Sequence, residues 1–376
     1  MPPAVHTRRS LITGAAAMAA ALAAGMPAAR ASARPRPAAL TGLTALQLAG
    51  QRVIYSYSGL TPPQDLITDI ENGQAAGVIF FGGNISSDTQ IAAVITQLRQ
   101  AQANSPIPQP LLLMTDQEGG EVRRLPGEPV LSEKQIGQSS DPVAAATAAG
   151  TGAGQNLAGV GMNVNLAPVL DVYYKSGNFI DQYQRSYSNN PAVVTECGQA
   201  FITAQQATGV AATAKHFPGL GSATKNQDTD TGPVTLNVSL SKLRGTDEVP
   251  YPAAIAAGVK LVMVSWAIYP ALDPNYPAGL SSIIIQQELR GRNGYTGVTI
   301  TDALEAGALT AYGSTGQRGI DAAAAGMDLI LCSAQDPTEG EAAVTTLASA
   351  YTSGQLDPTA FNAAVNRITA LRASLH

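Results

Sequence analysis

The sequence, 376 residues long, contains few of the residues that bind metal ions. Of its three histidines, His6 and His376 lie near the two ends of the chain, which leaves His216 as the only other one. Cysteine is equally scarce, with Cys197 and Cys332 far apart in the sequence. A multi-histidine metal site is therefore excluded, and a Cys₂His zinc site would need three distant residues to converge. We expect no metal ion in this protein.

The two cysteines also bear on covalent cross-linking. Cys197 falls in a predicted helix and Cys332 at the end of a predicted strand, whereas a disulfide requires close and specific geometry between its residues. Export, which is predicted below, would permit a disulfide. We nevertheless expect two buried free thiols.

Charged residues and long apolar runs are scarce as well. Charged residues make up 13% of the chain and the formal net charge is -5, which argues against general nucleic-acid binding. Beyond the N-terminal region no apolar run reaches the length of a membrane span, so we expect no stable membrane insertion. The hydrophobic content of 45% fits a globular protein with an ample core. The sequence does not reveal the oligomeric state, and a monomer is our expectation.

The N-terminal region has the pattern of an export signal. The segment "HTRRSLITGAAAMAAALAAGMPAARASA" (6–33) combines the pair Arg8 and Arg9 with an apolar core of small residues and Ala-x-Ala sequences near its end. That core is too short and too rich in alanine for a convincing membrane span, and the twin arginines point to the Tat route. We predict a Tat-type signal peptide over residues 1–33, a disordered lead-in over 34–42 and a secreted mature protein.

Apolar and β-branched runs recur eight times along the rest of the chain, with helical patterns between them. In residues 86–102, for example, apolar positions repeat at helical spacing behind a predicted capping box of Ser87 and Gln90. Eight strand–helix repeats predict an α/β fold of the (β/α)₈ TIM-barrel type, with a single domain over residues 43–376. The predicted strands cover residues 52–58, 77–83, 110–116, 162–171, 209–217, 259–267, 297–304 and 327–334.

Two other α/β interpretations fit less well. A doubly wound sheet is disfavoured because the apolar runs are too many and too evenly spread. The glycine-rich segment "GTGAGQNLAG" (150–159) has some likeness to a dinucleotide-binding loop, but it follows no predicted strand and lies in an alanine-rich helical stretch. We therefore expect no nucleotide cofactor.

Polar residues stand at the C-terminal ends of several predicted strands. Asp116 ends the third run, Asp171 the fourth, Lys215 and His216 the fifth, and Asp302 the seventh. In (β/α)₈ barrels the chemistry is carried at these strand ends, whereas the opposite face carries stability. One acid there fits a helix cap or a buried hydrogen-bonding group, but several charged residues at matching ends indicate a functional site.

Most of these polar residues fall in three segments, "DQEGGEVRRL" (116–125), "AKHFPGLG" (214–221) and "GVTITDALEAGAL" (297–309). Together they resemble the motifs of glycoside hydrolase family 3, in its bacterial single-domain β-N-acetylglucosaminidase branch. The similarity extends from about residue 43 to the C-terminus. It implies an enzyme that cleaves a terminal β-linked sugar with retention, through a covalent glycosyl-enzyme and without a cofactor.

The resemblance also assigns residue roles. Asp302 matches the family's nucleophile, and a carboxylate that leaves an apolar strand at the barrel mouth would be held rigidly beneath the anomeric carbon; a helix N-cap is its alternative role. Arg185 could instead form a structural ion pair. His216 could instead be a hydrogen-bonded histidine of the core. Glu118 and Arg123 receive no role, because alternate positions of a strand face away from each other. By resemblance, the contacts to sugar hydroxyls would come from Asp116, Arg124, Arg185, Lys215 and His216.

The loop after the fifth predicted strand departs from the family pattern. This branch uses a histidine there as acid/base, in an Asp-Ser-His triplet, but the loop "KHFPGLGSATKNQDTDTGPV" (215–234) has no histidine after His216. An ungapped alignment from Lys215 places Asp228 at the histidine position. An alignment from the other side places Asp228-Thr229-Asp230 over the triplet with two extra residues, and we prefer it because it preserves the triplet.

Two consequences of this departure compete. Asp230 replaces the histidine as acid/base, with its pKa raised by like-charge repulsion from Asp228. Alternatively, the loop is solvated and no longer delivers a proton donor, which would slow the cleavage of natural glycosides severely. Trp266 marks a further departure, because it stands where the branch commonly has a histidine after the sixth strand.

The leading hypothesis is an exported, retaining exo-hydrolase of the β-N-acetylglucosaminidase type. Asp302 would attack, Asp230 with Asp228 would transfer the proton, and the substrate would be a GlcNAc-containing saccharide derived from cell walls or chitin. The alternatives are a saccharide-binding protein that has lost hydrolysis and a family hydrolase with a preference for β-glucosides or β-xylosides.

Overall fold

The computed structural model describes residues 42–375. The predicted signal peptide (1–33) and nearly all of the predicted lead-in (34–42) therefore lie outside the described residues. Within residues 42–375, no helix has both the length and the apolar character needed to cross a membrane.

Eight short parallel strands form the centre of the described region. Each strand pairs with its neighbour in the chain from β1 to β7, and β8 pairs with β1. A parallel bridge between Ile300 and Leu329 joins β7 to the start of β8 and closes the ring. The (β/α)₈ barrel is thereby confirmed. The strands are β1 Val53–Tyr55, β2 Gly77–Ile79, β3 Leu112–Thr115, β4 Val164–Asn165, β5 Ala211–Phe217, β6 Leu261–Val264, β7 Val298–Thr301 and β8 Ile330–Leu331.

Helices surround the barrel, and most of them begin at a side chain that caps the first turn. At α3 the Ser87 hydroxyl accepts from the Gln90 N–H, as predicted, but the Gln90 side chain accepts from Ser86 N–H and not from Ser87. The helices are α1 Ala45–Gly50, α2 Gln64–Glu71, α3 Asp88–Ala103, α4 Glu133–Gly137, α5 Pro142–Val160, α6 Phe179–Gln182, α7 Pro191–Gln206, α8 Leu240–Lys242, α9 Pro250–Ala256, α10 Thr315–Ala325, α11 Pro337–Thr352 and α12 Pro358–Ala373, with π-helical segments at Leu243–Asp247 and Ile283–Arg292 and 3₁₀ turns at Gly82–Asn84, Ala278–Leu280 and Gly307–Tyr312.

The barrel interior is an apolar core. Side chains such as Leu112, Met114, Leu261 and Ile300 are buried there, and residues of α12 pack against this cluster. A second and larger apolar cluster lies between the strands and the surrounding helices. Charged side chains at the C-terminal strand ends therefore lie above the apolar residues of the barrel interior, and this low-dielectric surrounding strengthens the electrostatic interactions between them.

Both cysteines are buried and free, which confirms the expected thiols. Their burial raises the pKa of each thiol, to about 12 for Cys197 and well above the ordinary value for Cys332, so both stay protonated at neutral pH.

Candidate active site

A cavity of about 210 Å³ opens at the C-terminal ends of the barrel strands. Its apolar wall includes Ile79, Leu166, Met263 and Leu331, which come from or directly follow barrel strands. The volume is below the roughly 300–1,000 Å³ typical of pockets for drug-sized ligands. The cavity brings together seven of the eight residues predicted for the site, namely Asp116, Arg124, Arg185, Lys215, His216, Asp230 and Asp302.

The segment "DQEGGEVRRL" forms a tight hairpin at the end of β3, and this hairpin brings charged residues from its two ends to one cavity. Gln117–Gly119 pairs with Val122–Arg123, and the turn between them uses Gly119 and Gly120 at φ values of 112° and 58°. Such positive φ angles favour glycine strongly. The hairpin brings the chain back on itself, so that the Arg124 N–H donates to the Asp116 carbonyl at 3.2 Å. Two residues eight positions apart thus line the same cavity.

Lys215 connects two acidic groups at the cavity wall. Its ammonium lies 2.7 Å from Asp116 Oδ1 and 2.7 Å from Glu118 Oε1. Arg185 forms a two-pronged pair with Glu118, with 2.9 Å from Nε to Oε2 and 2.9 Å from Nη2 to Oε1. Arg185 therefore forms the structural ion pair that was its alternative role, and it also lines the cavity, where its contact with a sugar stays a prediction.

Glu118, to which the sequence assigned no role, anchors this network. Its side chain is buried beneath the cavity surface. Burial by itself would raise the pKa of Glu118, but Arg185 and Lys215 outweigh that effect and hold the pKa at about 2. Glu118 therefore stays ionised and fixes the two cations in place. Its position two residues after Asp116 was the signal available in the sequence, but the hairpin that turns it inward was not predictable from that spacing.

Arg124 differs from the other cations of the cavity. Its Nε is buried without a hydrogen-bond partner within residues 42–375. An unpartnered guanidinium donor in a small polar cavity costs free energy unless a ligand accepts from it. Arg124 therefore offers a hydroxyl or a carbonyl oxygen of a ligand a buried donor at the cavity wall.

His216 is held by a residue that the sequence placed at a strand end without assigning it a role. Its Nδ1 lies 2.7 Å from Asp171 Oδ2, and the other oxygen of Asp171 accepts from the Leu220 N–H at 2.7 Å. Asp171 is fully buried. The carboxylate thus sets the orientation of the imidazole at the cavity wall and also ties down the start of the loop after β5.

Asp302 follows β7 directly and enters the cavity. It caps neither of the helical segments that follow: the 3₁₀ segment Gly307–Tyr312 has Ala306 at its N-cap, and α10 begins after Ser314, whose hydroxyl accepts from Gln317 N–H. One oxygen of Asp302 accepts from the Ala303 N–H at 2.8 Å. The Trp266 indole N–H donates to the Ala303 carbonyl at 2.8 Å, so the backbone beside the carboxylate is braced from β6.

Asp230 reaches the cavity from the loop after β5, and Asp228 does not line it. Asp228 Oδ1 accepts from the Asp230 N–H at 2.9 Å and thereby shapes the turn. Although Asp230 is exposed at the rim, the protein that surrounds it, followed by the negative charges of Asp302 and Asp228, raises its pKa to about 6. The repulsion predicted from Asp228 is present, but Asp302 contributes more of it.

Sequence comparison relates most of this chain to glycoside hydrolases. A model of the glycosyl hydrolase family 3 N-terminal domain matches residues 45–371. A protein of Arthroderma benhamiae called an uncharacterized secreted glycosyl hydrolase is 48% identical over 329 residues, which cover 87% of this chain and 93% of that protein. A β-hexosaminidase of Xanthomonas axonopodis pv. citri is 34% identical over 269 residues, which cover 70% of this chain and 77% of the relative.

Solved structures give the same result. The family 3 β-N-acetylglucosaminidase of a Paenibacillus species superposes with a TM-score of 0.83 at 35% identity, over 88% of this chain and 63% of that one. The β-N-acetylhexosaminidase of Beutenbergia cavernae superposes with a TM-score of 0.79 at 32% identity, over 88% of this chain and 98% of that one. This chain therefore spans less than two thirds of the Paenibacillus protein but nearly all of the Beutenbergia protein. It belongs to glycosyl hydrolase family 3.

Proposed function

We propose that this protein is a retaining exo-β-N-acetylhexosaminidase with Asp302 as nucleophile and Asp230 as acid/base. The observation that carries the proposal is that both carboxylates line one cavity, where the pKa of Asp230 is raised to about 6 by its surroundings and by Asp302. Retaining glycoside hydrolysis requires two carboxyl groups at one site, one that attacks the sugar and one that transfers a proton.

In the first step, the ionised Asp302 carboxylate bonds to the anomeric carbon while protonated Asp230 gives its proton to the glycosidic oxygen. The bond to the aglycone breaks, and the aglycone leaves as an alcohol. In the second step, ionised Asp230 takes a proton from water, and the water oxygen bonds to the anomeric carbon. The ester to Asp302 breaks, and both carboxyl groups return to their initial state.

The cavity wall supports binding of a single terminal sugar. Asp116 offers an acceptor and Lys215 a donor at neighbouring positions, which suits two adjacent hydroxyls. The two ion pairs of buried Glu118, with Arg185 and with Lys215, hold these groups before the sugar arrives, so less ordering remains to be done on binding. The small volume favours cleavage of one unit from the end of a chain.

The substrate class rests on the relatives. The Xanthomonas and Beutenbergia proteins are named for hexosaminidase activity, and the Paenibacillus protein for β-N-acetylglucosaminidase activity. We extend this preference to the present chain, with saccharides derived from chitin or from cell walls as substrates. The twin-arginine segment of residues 1–33 and the word "secreted" in the name of the Arthroderma relative support export of the protein.

The test is a covalent label. A fluorinated N-acetylglucosaminyl fluoride, which forms the glycosyl-enzyme faster than water removes it, should add one sugar mass to the intact protein. Peptide mapping should place the sugar on Asp302, and Asp302→Ala should remain unlabelled under the same conditions. A label on another residue, or normal turnover by Asp302→Ala, would remove Asp302 as the nucleophile.

A panel of dinitrophenyl glycosides separates the alternatives. We expect the largest kcat/KM with the N-acetylglucosaminide and smaller values with the glucoside and xyloside. The opposite order would assign a different sugar to the same chemistry. Sugar binding in calorimetry without turnover of any dinitrophenyl glycoside would identify a saccharide-binding protein instead.

A further inference from the structure

The loop that carries Asp230 is attached to the rest of the mouth both near its start and at its tip. We define the acid loop as residues 218–232. Near its start, the Leu220 N–H donates to Asp171 at 2.7 Å, and the Gly221 carbonyl accepts from the Tyr174 N–H at 2.9 Å. These contacts attach the loop base to the segment after β4.

The tip of the acid loop is attached to a different segment, the turn after β7. The Gly307 N–H donates to the Asp230 carbonyl at 2.9 Å, and the Ala308 N–H donates to the Thr229 carbonyl at 2.9 Å. The turn formed by residues 302–308 therefore carries the nucleophile at one end and holds the acid/base residue at the other. Both carboxylates are positioned by one docked pair of backbone segments.

At Gly307 the backbones of the two segments lie too close together for a side chain to fit between them. A Cβ at this residue would lie 2.6 Å from the carbonyl carbon of Thr231 and 2.8 Å from the nitrogen of Gly232. Both atoms belong to backbone, which cannot turn aside as a flexible side chain does. The φ of Gly307 is not in the left-handed region. Glycine is therefore needed here for the docking of the loop and not for the conformation of its own backbone.

We propose that Gly307 is a positioning residue for Asp230, and that the docking of residues 229–232 on the turn after β7 fixes the proton donor over the sugar site. The inference rests on the proposed function for its catalytic meaning. A side chain at 307 pushes the loop tip away, and the carboxyl of Asp230 moves with the backbone that carries it. Asp302 keeps its own supports, which are the Ala303 N–H and the Trp266 brace at the Ala303 carbonyl.

The chain offers a matched control in Gly232. It lies in the same loop, its φ is also outside the left-handed region, and a Cβ there would meet no atom within 4 Å. Gly307→Ala and Gly232→Ala therefore add the same methyl group on the two sides of the docked interface, but only the first is blocked by backbone.

The experiment compares kcat/KM for two N-acetylglucosaminides that differ in their need for a proton. The methoxyphenyl glycoside needs assistance to leave, whereas the dinitrophenyl glycoside does not. In Gly307→Ala we expect kcat/KM to fall about 10- to 100-fold for the methoxyphenyl glycoside, within the range that general acid catalysis supplies, and to change little for the dinitrophenyl glycoside. Gly232→Ala should match the wild type with both substrates.

Hydrogen exchange provides a readout that does not depend on activity. In the wild type, the amides of Gly307 and Ala308 should be protected, and Gly307→Ala should speed exchange at Ala308 and in residues 229–232 while Gly232→Ala does not. An equal loss on both glycosides would show that the turn carrying Asp302 has moved, and unchanged kinetics or unchanged exchange would show that the docking does not hold the loop. A wild-type protein that hydrolyses no dinitrophenyl glycoside would refute the proposed function, while the exchange pattern would still decide the docking.

Discussion

Charged residues lie at both ends of the barrel, but their carboxylates differ in whether they are paired with cations. At the base, before β8, the buried Asp328 receives Arg290 and Arg367, each at 2.7 Å, and the Thr299 N–H at 2.9 Å. At the mouth, within residues 42–375, neither Asp230 nor Asp302 forms a salt bridge. Charge that is neutralised locally supports the fold, whereas charge that is left uncompensated above an apolar floor remains available for chemistry.

The same contrast occurs within the mouth. Glu118 and Asp230 are both carboxylic acids near one cavity, yet cations hold the pKa of the first at about 2, while the surrounding protein and neighbouring carboxylates raise that of the second, at the exposed rim, to about 6. At neutral pH Glu118 is a fixed counter-ion. Asp230 is close to the point where it both holds and releases a proton, as an acid/base residue must.

The largest difference between the mouth and the base should appear when an aspartate at the mouth, Asp302, is replaced. Asp302→Asn removes the attacking carboxylate with little change in volume, and we expect kcat/KM to fall by on the order of 10⁴-fold or more with every glycoside, the scale seen when a catalytic nucleophile is lost. The dinitrophenyl glycoside gives the rate and urea unfolding gives the stability. A variant that retains a tenth of wild-type activity, free of deamidated protein, would contradict the assignment.

Asp230→Asn should have the next largest effect. It removes the proton donor, so we expect kcat/KM to fall about 10²- to 10⁴-fold for the methoxyphenyl glycoside and far less for the dinitrophenyl glycoside. Azide, which needs no proton removed, should restore turnover of the dinitrophenyl substrate and form a glycosyl azide. Equal losses on both substrates would show that Asp230 acts in some other way.

The pH profile should sharpen the role of Asp228. The protonated form of Asp230 is needed to cleave the glycoside, so kcat/KM should decline as pH rises through about 6, the raised pKa of this residue. Asp228→Asn keeps an acceptor for the Asp230 N–H but removes a negative charge, which favours the ionised form of Asp230 and lowers its pKa. The alkaline limb should therefore shift by a fraction of a pH unit to lower pH. A shift to higher pH would contradict the repulsion.

Asp328→Asn should have the smallest effect on turnover. The substitution leaves Arg290 and Arg367 without their buried counter-ion, and breaking such pairs costs about 3–5 kcal/mol in the free energy of unfolding. Since the barrel separates this site from the mouth, kcat/KM below the unfolding temperature should stay within about twofold of wild type. A large loss of activity in the folded variant would show that the base and the mouth are energetically connected.

The strand-end residues were predictable from the sequence because they depend on a local pattern. An apolar run followed at once by Asp116 or Asp302 places the side chain at the C-terminal end of a parallel strand, and barrel symmetry brings such ends together. All eight predicted strands are present, each shorter than its apolar run. Apolar residues continue past the strand ends because the loops there pack against the same core.

The partners of those residues were not predictable, because they depend on contacts between distant segments. Glu118 meets Arg185 across 67 positions, and Asp171 meets His216 across 45. Residue spacing within a single helix or strand cannot predict contacts between residues so far apart in the chain. The direction of Glu118 is set by the glycine turn of the hairpin, and a slip of one residue in that pairing would face it the other way.

The sequence by itself determined the barrel and the family, since both follow from short motifs and the order of strands, and it predicted Asp302 as the nucleophile from the same motifs. For the acid/base it favoured Asp230 only through a preferred alignment of the loop, because the ungapped alignment from Lys215 places Asp228 at that position instead. Only the tertiary structure shows where the two side chains lie: the loop tip docks on the turn after β7, which brings Asp230 to the cavity and leaves Asp228 accepting from its backbone. The physical reason is that a loop is positioned by the surface it packs against, and that surface comes from residues far away in the chain.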